Sequence, residues 1–438
     1  MAVDPQNANG LYLGLRQLYY VPGGGSSPIN PATTQIDVNG AHTDDHAIAF
    51  SPPSHFTGPP TRAYVGNDGG FVSTAASGSQ PGAQWQFLNK GLATALLKRI
   101  DIGRGGQDAN RYTWGGMQDN GVAARLPGLA GAEWKLQCCG DTSVIAVDPK
   151  NPKNVIGSND GQIWCSTSAC KNLSSIGDVA FDPSGGVAYV TSANTLFQSK
   201  DSGANFASIR TFAQPINAIA QIKGQPNLMW LGMGDGTLRT STDVIKGSTA
   251  KWSSVTVTGA PSGRGVAGLA IDPADPSAVV VVYGGLSSTA PPQNAYRTAD
   301  GGKTWSNIGG AGITSLPGLP LFSVVILPTT TPSTIIVGSY NSVLQSSNNG
   351  QSWQVLGTGF PTAEATSLAL DYSSDGFVLR ASTFGRSAWE LGPPPPPPTI
   401  VPHTEPSCGP GETFCTKFSP PRCVPHDACL LQAPSPGG

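Results

Sequence analysis

Thr298-Ala299-Asp300-Gly301-Gly302-Lys303-Thr304-Trp305 decides how this chain is read. Its form is Ser/Thr-x-Asp-x-Gly-x-Ser/Thr-Trp. Ser346-Ser347-Asn348-Asn349-Gly350-Gln351-Ser352-Trp353 repeats it with Asn348 in place of the aspartate. Ser199 to Phe206 is a degraded copy around Asp201, and Ser241-Thr242-Asp243 with Trp252 is a copy carrying an insertion. The chemistry of such a stretch is local. A short side-chain oxygen accepts hydrogen bonds from the N–H groups of a tight turn, and glycine permits a positive φ. The indole then has a flat apolar surface to bury. Asp201, Asp243, Asp300 and Asn348 are therefore expected to brace hairpins, with Trp305 and Trp353 packing beneath them.

Working outward, each copy belongs to a larger unit. The unit opens with a short apolar strand that often ends in Asp-Pro, as in Ile145-Ala146-Val147-Asp148-Pro149 and Leu269-Ala270-Ile271-Asp272-Pro273. Proline removes a ladder donor and aspartate favours a turn, so the pair stops the strand. A second strand tends to end in glycine (Tyr64-Val65-Gly66), a third follows a Gly- or Asp-rich turn, and a fourth often opens with tryptophan. Nine such units recur over residues 2–391, their starts 34 to 55 residues apart. Repeats of four short strands at this spacing predict an all-β fold, a β-propeller of eight or nine four-stranded blades. One twisted sheet cannot cover both its faces; neighbours arranged radially cover them for it. The last unit runs into prolines before a fourth strand, and no spare strand precedes the first. Ring closure therefore needs either more sequence or another device.

Composition agrees. Of 438 residues only 12% are charged, Gly (56) and Pro (39) are abundant, and Glu occurs five times. This suits strands and turns, not long helices. A net charge of −2 argues against nucleic acid as a partner. No apolar run approaches the ~18 residues of a membrane span. The eight cysteines fall in two sets of four: Cys138, Cys139, Cys165 and Cys170, then Cys408, Cys415, Cys423 and Cys429. Even, clustered counts without a C-x₂-C pair favour disulfides over zinc, hence an oxidising, secreted or cell-surface location. Each set allows three pairings. The start of the chain shows no signal peptide, so an exported protein is expected to have a longer natural N-terminus. Residues 1–392 read as the repeat region, 393–402 as a stiff polyproline linker and 403–438 as a Cys-rich tail, either a solvated knot or a surface anchor.

In a propeller, the turns between second and third strands share one face with the links between blades. Carboxylates recur there: Asp68 in Asn67-Asp68-Gly69-Gly70, Asp119 in Gln118-Asp119-Asn120-Gly121, Asp160, and Asp235. Any one of them alone reads as an ordinary turn residue. Clustering across consecutive units makes Asp68 and Asp119 the candidate catalytic pair. His42, Asp45, His46, Asn120, Asp141 and Asp160 are the surrounding candidate binding residues. The spacing His42-x-x-Asp45-His46 allows a bound metal ion or a general base, although no cofactor is required. Carboxylates and imidazoles brought together can push each other's pKa values apart and give an acid/base pair.

The bracing stretches resemble the Asp-box of sialidase-type and sortilin-type propellers. His42 to Ala47, Tyr64 to Gly70, Asn89-Lys90-Gly91-Leu92, Gly116 to Gly121 and Thr383-Phe384-Gly385-Arg386 resemble a bacterial secreted family of Asp-box (BNR-repeat) propellers. The resemblance covers about residues 2–391. It implies an extracellular protein with a polysaccharide or other glycan as ligand, and it admits a protein partner. Xyloglucanase-type hydrolases in this group place an Asp before Ile-Gly-Gly; Asp68-Gly69-Gly70 is similar and one residue shorter. Sialidase activity is excluded, since the scarce Glu and the missing Arg-Ile-Pro motif leave its catalytic set incomplete. Two functions follow: a glycoside hydrolase using Asp68 and Asp119, or a non-catalytic glycan- or protein-binding propeller or scaffold.

Overall fold

The computed structural model describes residues 1–5, 7–21, 35–36, 42–51, 62–74, 85–105, 112–129, 133–138, 140–167, 170, 173–373, 376–391, 412–415 and 422–425. Residues 1–392 form one compact unit. It holds nine antiparallel sheets of three or four strands, one for each repeat unit, with every strand beside its neighbour in sequence. The described residues contain no α-helix, only two 3₁₀ segments, Val244–Thr249 and Gly312–Thr314. No helix among them is long and apolar enough to cross a membrane.

The fold is a β-propeller, and its circuit takes in seven of the nine sheets. Blade 1 starts with Leu97–Ile102, and the first strands of blades 2 to 7 are Ile145–Asp148, Ile176–Phe181, Ile216–Ala220, Val266–Asp272, Leu321–Leu327 and Ala365–Ser373. Each stands beside the next, and Ala365–Ser373 stands beside Leu97–Ile102, which completes the circle. Thr366 donates to the Leu97 carbonyl at 2.7 Å, the Ile100 N–H donates to Ser367 at 2.8 Å, and Leu96 bridges Phe384. The first two sheets, Ala2–Asp4 to Gln35–Ile36 and Asp45–Phe50 to Trp85–Phe87, lie outside that circuit. They pack on each other through Tyr12, Leu18, Val65 and Val72. The physical reason is occupancy. The flank of Leu97–Ile102 that a second-sheet blade would need is filled by blade 7, so a nine-membered ring does not form.

Position in the ring sets burial. Second strands have a sheet on each face, and Thr113–Met117, Met229–Met233 and Thr334–Ser339 are buried throughout. Fourth strands form the rim; Gln354–Val355 is exposed. Asp-Pro carboxylates close tight turns: Asp148 and Asp182 each accept the N–H two residues on, at 2.9 and 2.8 Å. Because strands alternate in direction, these turns share an end of the ring with the third-to-fourth turns. The second-to-third turns and blade links share the other end, called the loop face below.

Among the described residues blades 2 and 7 have three strands each. In blade 2, Cys165 and Cys170 are disulfide-bonded, and Leu173 and Ser174 then pair with Ile163 and Gln162, covering the edge. Cys138 accepts a hydrogen bond from Asn159 at 3.5 Å. Cys139, Cys408 and Cys429 lie outside the described residues. Residues 393–438 form a second compact unit, in which Glu412–Cys415, containing Cys415, pairs with Arg422–Pro425, containing Cys423.

Candidate functional site

Five of the candidate residues meet where the loop end of the second sheet touches the loop end of blade 1, and two more continue the contacts into blade 2. Asp68 sits in the turn between Ala63–Asn67 and Gly70–Thr74; Asp119 and Asn120 sit in the turn between Thr113–Met117 and Gly121–Arg125. His46 holds the Asp68 carboxylate through Nε2 at 2.6 Å. The Asn120 amide donates to the Asp68 carbonyl at 2.7 Å. His42 reaches the Asp119 carbonyl through Nε2 at 2.7 Å. From Asp119 the contacts pass to blade 2: its N–H donates to the Asp141 carboxylate at 2.7 Å, and the Asp141 N–H donates to the Asp160 carboxylate at 2.8 Å. Asp119 and Asp160 adopt positive φ, 60° and 47°, as short polar residues do in tight hairpins. Gly140 has φ of 74°, and a Cβ there would collide with Asn159 and Asp160, so glycine is what lets the two turns approach.

His42 has a fixed protonation demand. Its Nδ1 lies 2.9 Å from the Thr43 carbonyl while Nε2 faces the Asp119 carbonyl. Carbonyl oxygens only accept, so both ring nitrogens must donate, which only the imidazolium does. Burial works against that charge, but the two carbonyls and the carboxylates of Asp119 and Asp68 outweigh it, and the pKa of His42 rises above the ordinary histidine value. Desolvation, then the negative charges of Asp141 and Asp68, raise Asp119 above the ordinary aspartate range, with His42 acting the other way.

The expected metal spacing does not converge. Asp45 and His46 are consecutive residues at the start of the strand Asp45–Phe50, where the register shifts between Asp45 and Ala47, and their side chains reach different surroundings. Asp45 is buried and approached by the Asn67 amide at 3.5 Å, whereas His46 is exposed on Asp68. His42 has both nitrogens committed to carbonyls. Among the described residues no group of three or more His, Cys, Asp or Glu side chains is placed to hold a metal ion. Asp235 stands apart from the cluster, its carboxylate turned onto Thr237 of its own hairpin.

Two residues outside the candidate set hold the cluster together. Asn67 donates to the His42 carbonyl at 3.0 Å, and Asn89 bridges the Gly69 carbonyl and the Phe71 N–H at 2.8 Å each. Both lie in the family-like stretches Tyr64 to Gly70 and Asn89 to Leu92, where an amide carries no chemical signal of its own. At the opposite end of the ring the bracing stretches share one pattern. Asp300 accepts from the Thr304 N–H at 2.9 Å and from Thr298 at 2.7 Å. Asp201 binds the Asn205 N–H, and Asn348 binds the Ser352 N–H. Asp243 reaches past the inserted 3₁₀ segment to the Lys251 N–H at 2.8 Å. Trp305 meets Trp230 edge to face at 6.3 Å, and Trp353 is buried with its indole N–H on the Ile308 carbonyl at 2.7 Å.

No protein-family model matches the chain, and no curated protein matches it. Among solved structures the chain is similar to one described as the crystal structure of RRP9 WD40 repeats, at 13% identity and a TM-score of 0.47, over 68% of this chain and 98% of that one.

Proposed function

We propose that the protein is a non-catalytic binding propeller acting outside the cell, and that its ligand seats on the loop face where the second sheet meets blade 1. The observation that carries this reading is how the polar groups are spent. Both His42 nitrogens are donated to carbonyls, and the Asp141 and Asp160 carboxylates each hold the N–H of a neighbouring turn. Groups fixed in this way give a rigid surface with little ordering left to do on binding. The Asp68 and Asp119 carboxylates and the Asn120 amide oxygen, whose NH₂ is spent on the Asp68 and Gln118 carbonyls, then offer acceptors to a ligand rich in hydroxyl donors, which describes a glycan. A basic protein surface is the second ligand class. The Cys165–Cys170 disulfide supports an oxidising compartment.

A hydrolytic reading has one observation of its own. Asp119 is raised by its neighbours while Asp68 is paired with His46, so two carboxylates sit in different environments. One experiment separates the readings. The full chain is passed over a glycan array and incubated with xyloglucan and mixed β-glucans while reducing ends are counted. Binding without turnover, weakened at least tenfold by Asp119→Ala, is the expected result. Sugar release abolished by Asp68→Ala or Asp119→Ala would replace binding with hydrolysis; glycan binding untouched by both variants would remove the site.

A further inference from the structure

Among the described residues blade 7 ends at its third strand, Ala388–Leu391, and an apolar crevice opens beside that edge. Val343, Leu356, Phe360, Leu379, Ala381 and Trp389 line it. The crevice has a filled counterpart one blade back. There Trp353 is buried among Ala295, Ile308, Ile335, Val337 and Leu344. The two sets correspond position by position. Leu344 lies opposite Val337 and Ser346 opposite Ile335 in blade 6; Trp389 lies opposite Ala381 and Leu391 opposite Leu379 in blade 7. Ile308 donates its N–H to Ala295, and Leu356 donates its N–H to Val343 in the same way. The group missing from the second set is the indole itself. In blade 6 it comes from the residue just before the fourth strand, Gln354–Val355, which pairs with Leu344 and Gln345. The same ladder positions in blade 7 are Trp389 and Glu390, on the outer edge.

The geometry points to a strand-addition site: a tryptophan-led extended segment of a separate polypeptide pairs with Trp389 and Glu390 and seats its indole in this crevice. An exposed strand edge offers backbone donors and acceptors, and a pocket for one large side chain supplies specificity. The crevice continues the packed interface between blades 6 and 7, so an indole there extends an apolar layer already present. No tryptophan of residues 1–438 is left to fill the crevice. The nine tryptophans all lie between 85 and 389. Eight of them are packed in the core clusters, and the ninth, Trp389, is a wall of the crevice. Residues 393–438 contain none, and a second copy has none to lend.

The probe is a synthetic peptide with the sequence of residues 346–358, the segment that fills the equivalent place in blade 6, labelled for anisotropy and titrated into the full chain. Saturable binding is expected. Changing the peptide's tryptophan to alanine should weaken it at least tenfold, and Ala381→Phe, which fills the crevice, should weaken it as much. Because that variant could disturb blade 7, hydrogen exchange on the unaltered chain is the second readout: the peptide should slow exchange within Ala388–Leu391. No binding, equal binding of the alanine peptide, or unchanged exchange at that strand overturns the assignment. So does a dimer of the chain that the peptide dissolves, which would give the edge to a second copy.

Discussion

A histidine that donates from both ring nitrogens has to keep its proton, and His42 is held that way between the Thr43 and Asp119 carbonyls. Its pKa is raised in the folded state, so the bonds it makes add stability that is fully present below the unfolded value of about 6.5 and is lost as pH climbs through the folded value. The thermal midpoint of His42→Ala should therefore fall furthest short of wild type in mild acid, and the gap should close above neutrality. A gap that widens with pH would contradict the imidazolium assignment. At this scale the sequence was partly readable. Asp68, Asp119, Asp141 and Asp160 announced themselves through Asp-Gly turns and links at recurring places. His42's partner did not, because it is a backbone carbonyl 77 positions away, and no residue type signals a carbonyl. The same limit hid the divergence of Asp45 and His46: their spacing suggested convergence, whereas Asp45 is buried beside Asn67 and His46 lies exposed on Asp68.

The hairpin brace shows the opposite case, a whole element legible from eight residues. Its serine or threonine, its aspartate or asparagine and its glycine all act within the turn, so nothing distant has to be known. The tryptophan that follows is where the element meets its neighbours. Trp353 is buried between blades 5 and 6 and makes its indole hydrogen bond to Ile308. Trp353→Ala should cost about 3–5 kcal/mol, read as a loss in the urea midpoint. Removal of the brace oxygen in Asn348→Ala should cost less, since it deletes turn hydrogen bonds worth roughly 1 kcal/mol each. Equal losses in the two variants would mean that the turn, rather than the indole, holds the blades together. Less readable were the three-stranded blades. The last unit's missing fourth strand could be seen in sequence and that of blade 2 could not, and what stands in either place depends on folding around the edge. Leu173 and Ser174 cover blade 2, whereas a crevice flanks blade 7.

At the scale of the whole molecule, closure is a matter of lateral packing among first strands. Asp101 of blade 1 accepts the Val147 N–H of blade 2 at 2.8 Å, and Asp178 of blade 3 accepts the Ile219 N–H of blade 4 at 2.9 Å. Arg99 reaches from blade 1 to Asp178 at 3.0 Å. Burial raises the Asp178 carboxyl, while Arg99 and the two N–H donors favour its charge. Asp178→Ala leaves those donors without their acceptor and should cost on the order of 3 kcal/mol, a figure set toward the low end because Arg99 keeps access to water. Hydrogen exchange at Ile219 should speed up with it; an unchanged rate there would show that the carboxylate contributes nothing to the joint. Nine units were countable in the sequence, but the number that share one circle was not. That number depends on which strand fills the flank of Leu97–Ile102, and Ala365–Ser373 fills it. The seam between blades 1 and 7 is thus held by Thr366, Ser367 and a few backbone contacts, and among the described residues no strand is woven across it. A pull on the ring's two termini would meet a butt joint instead of a clasp, and the circle would part there before any sheet unravelled.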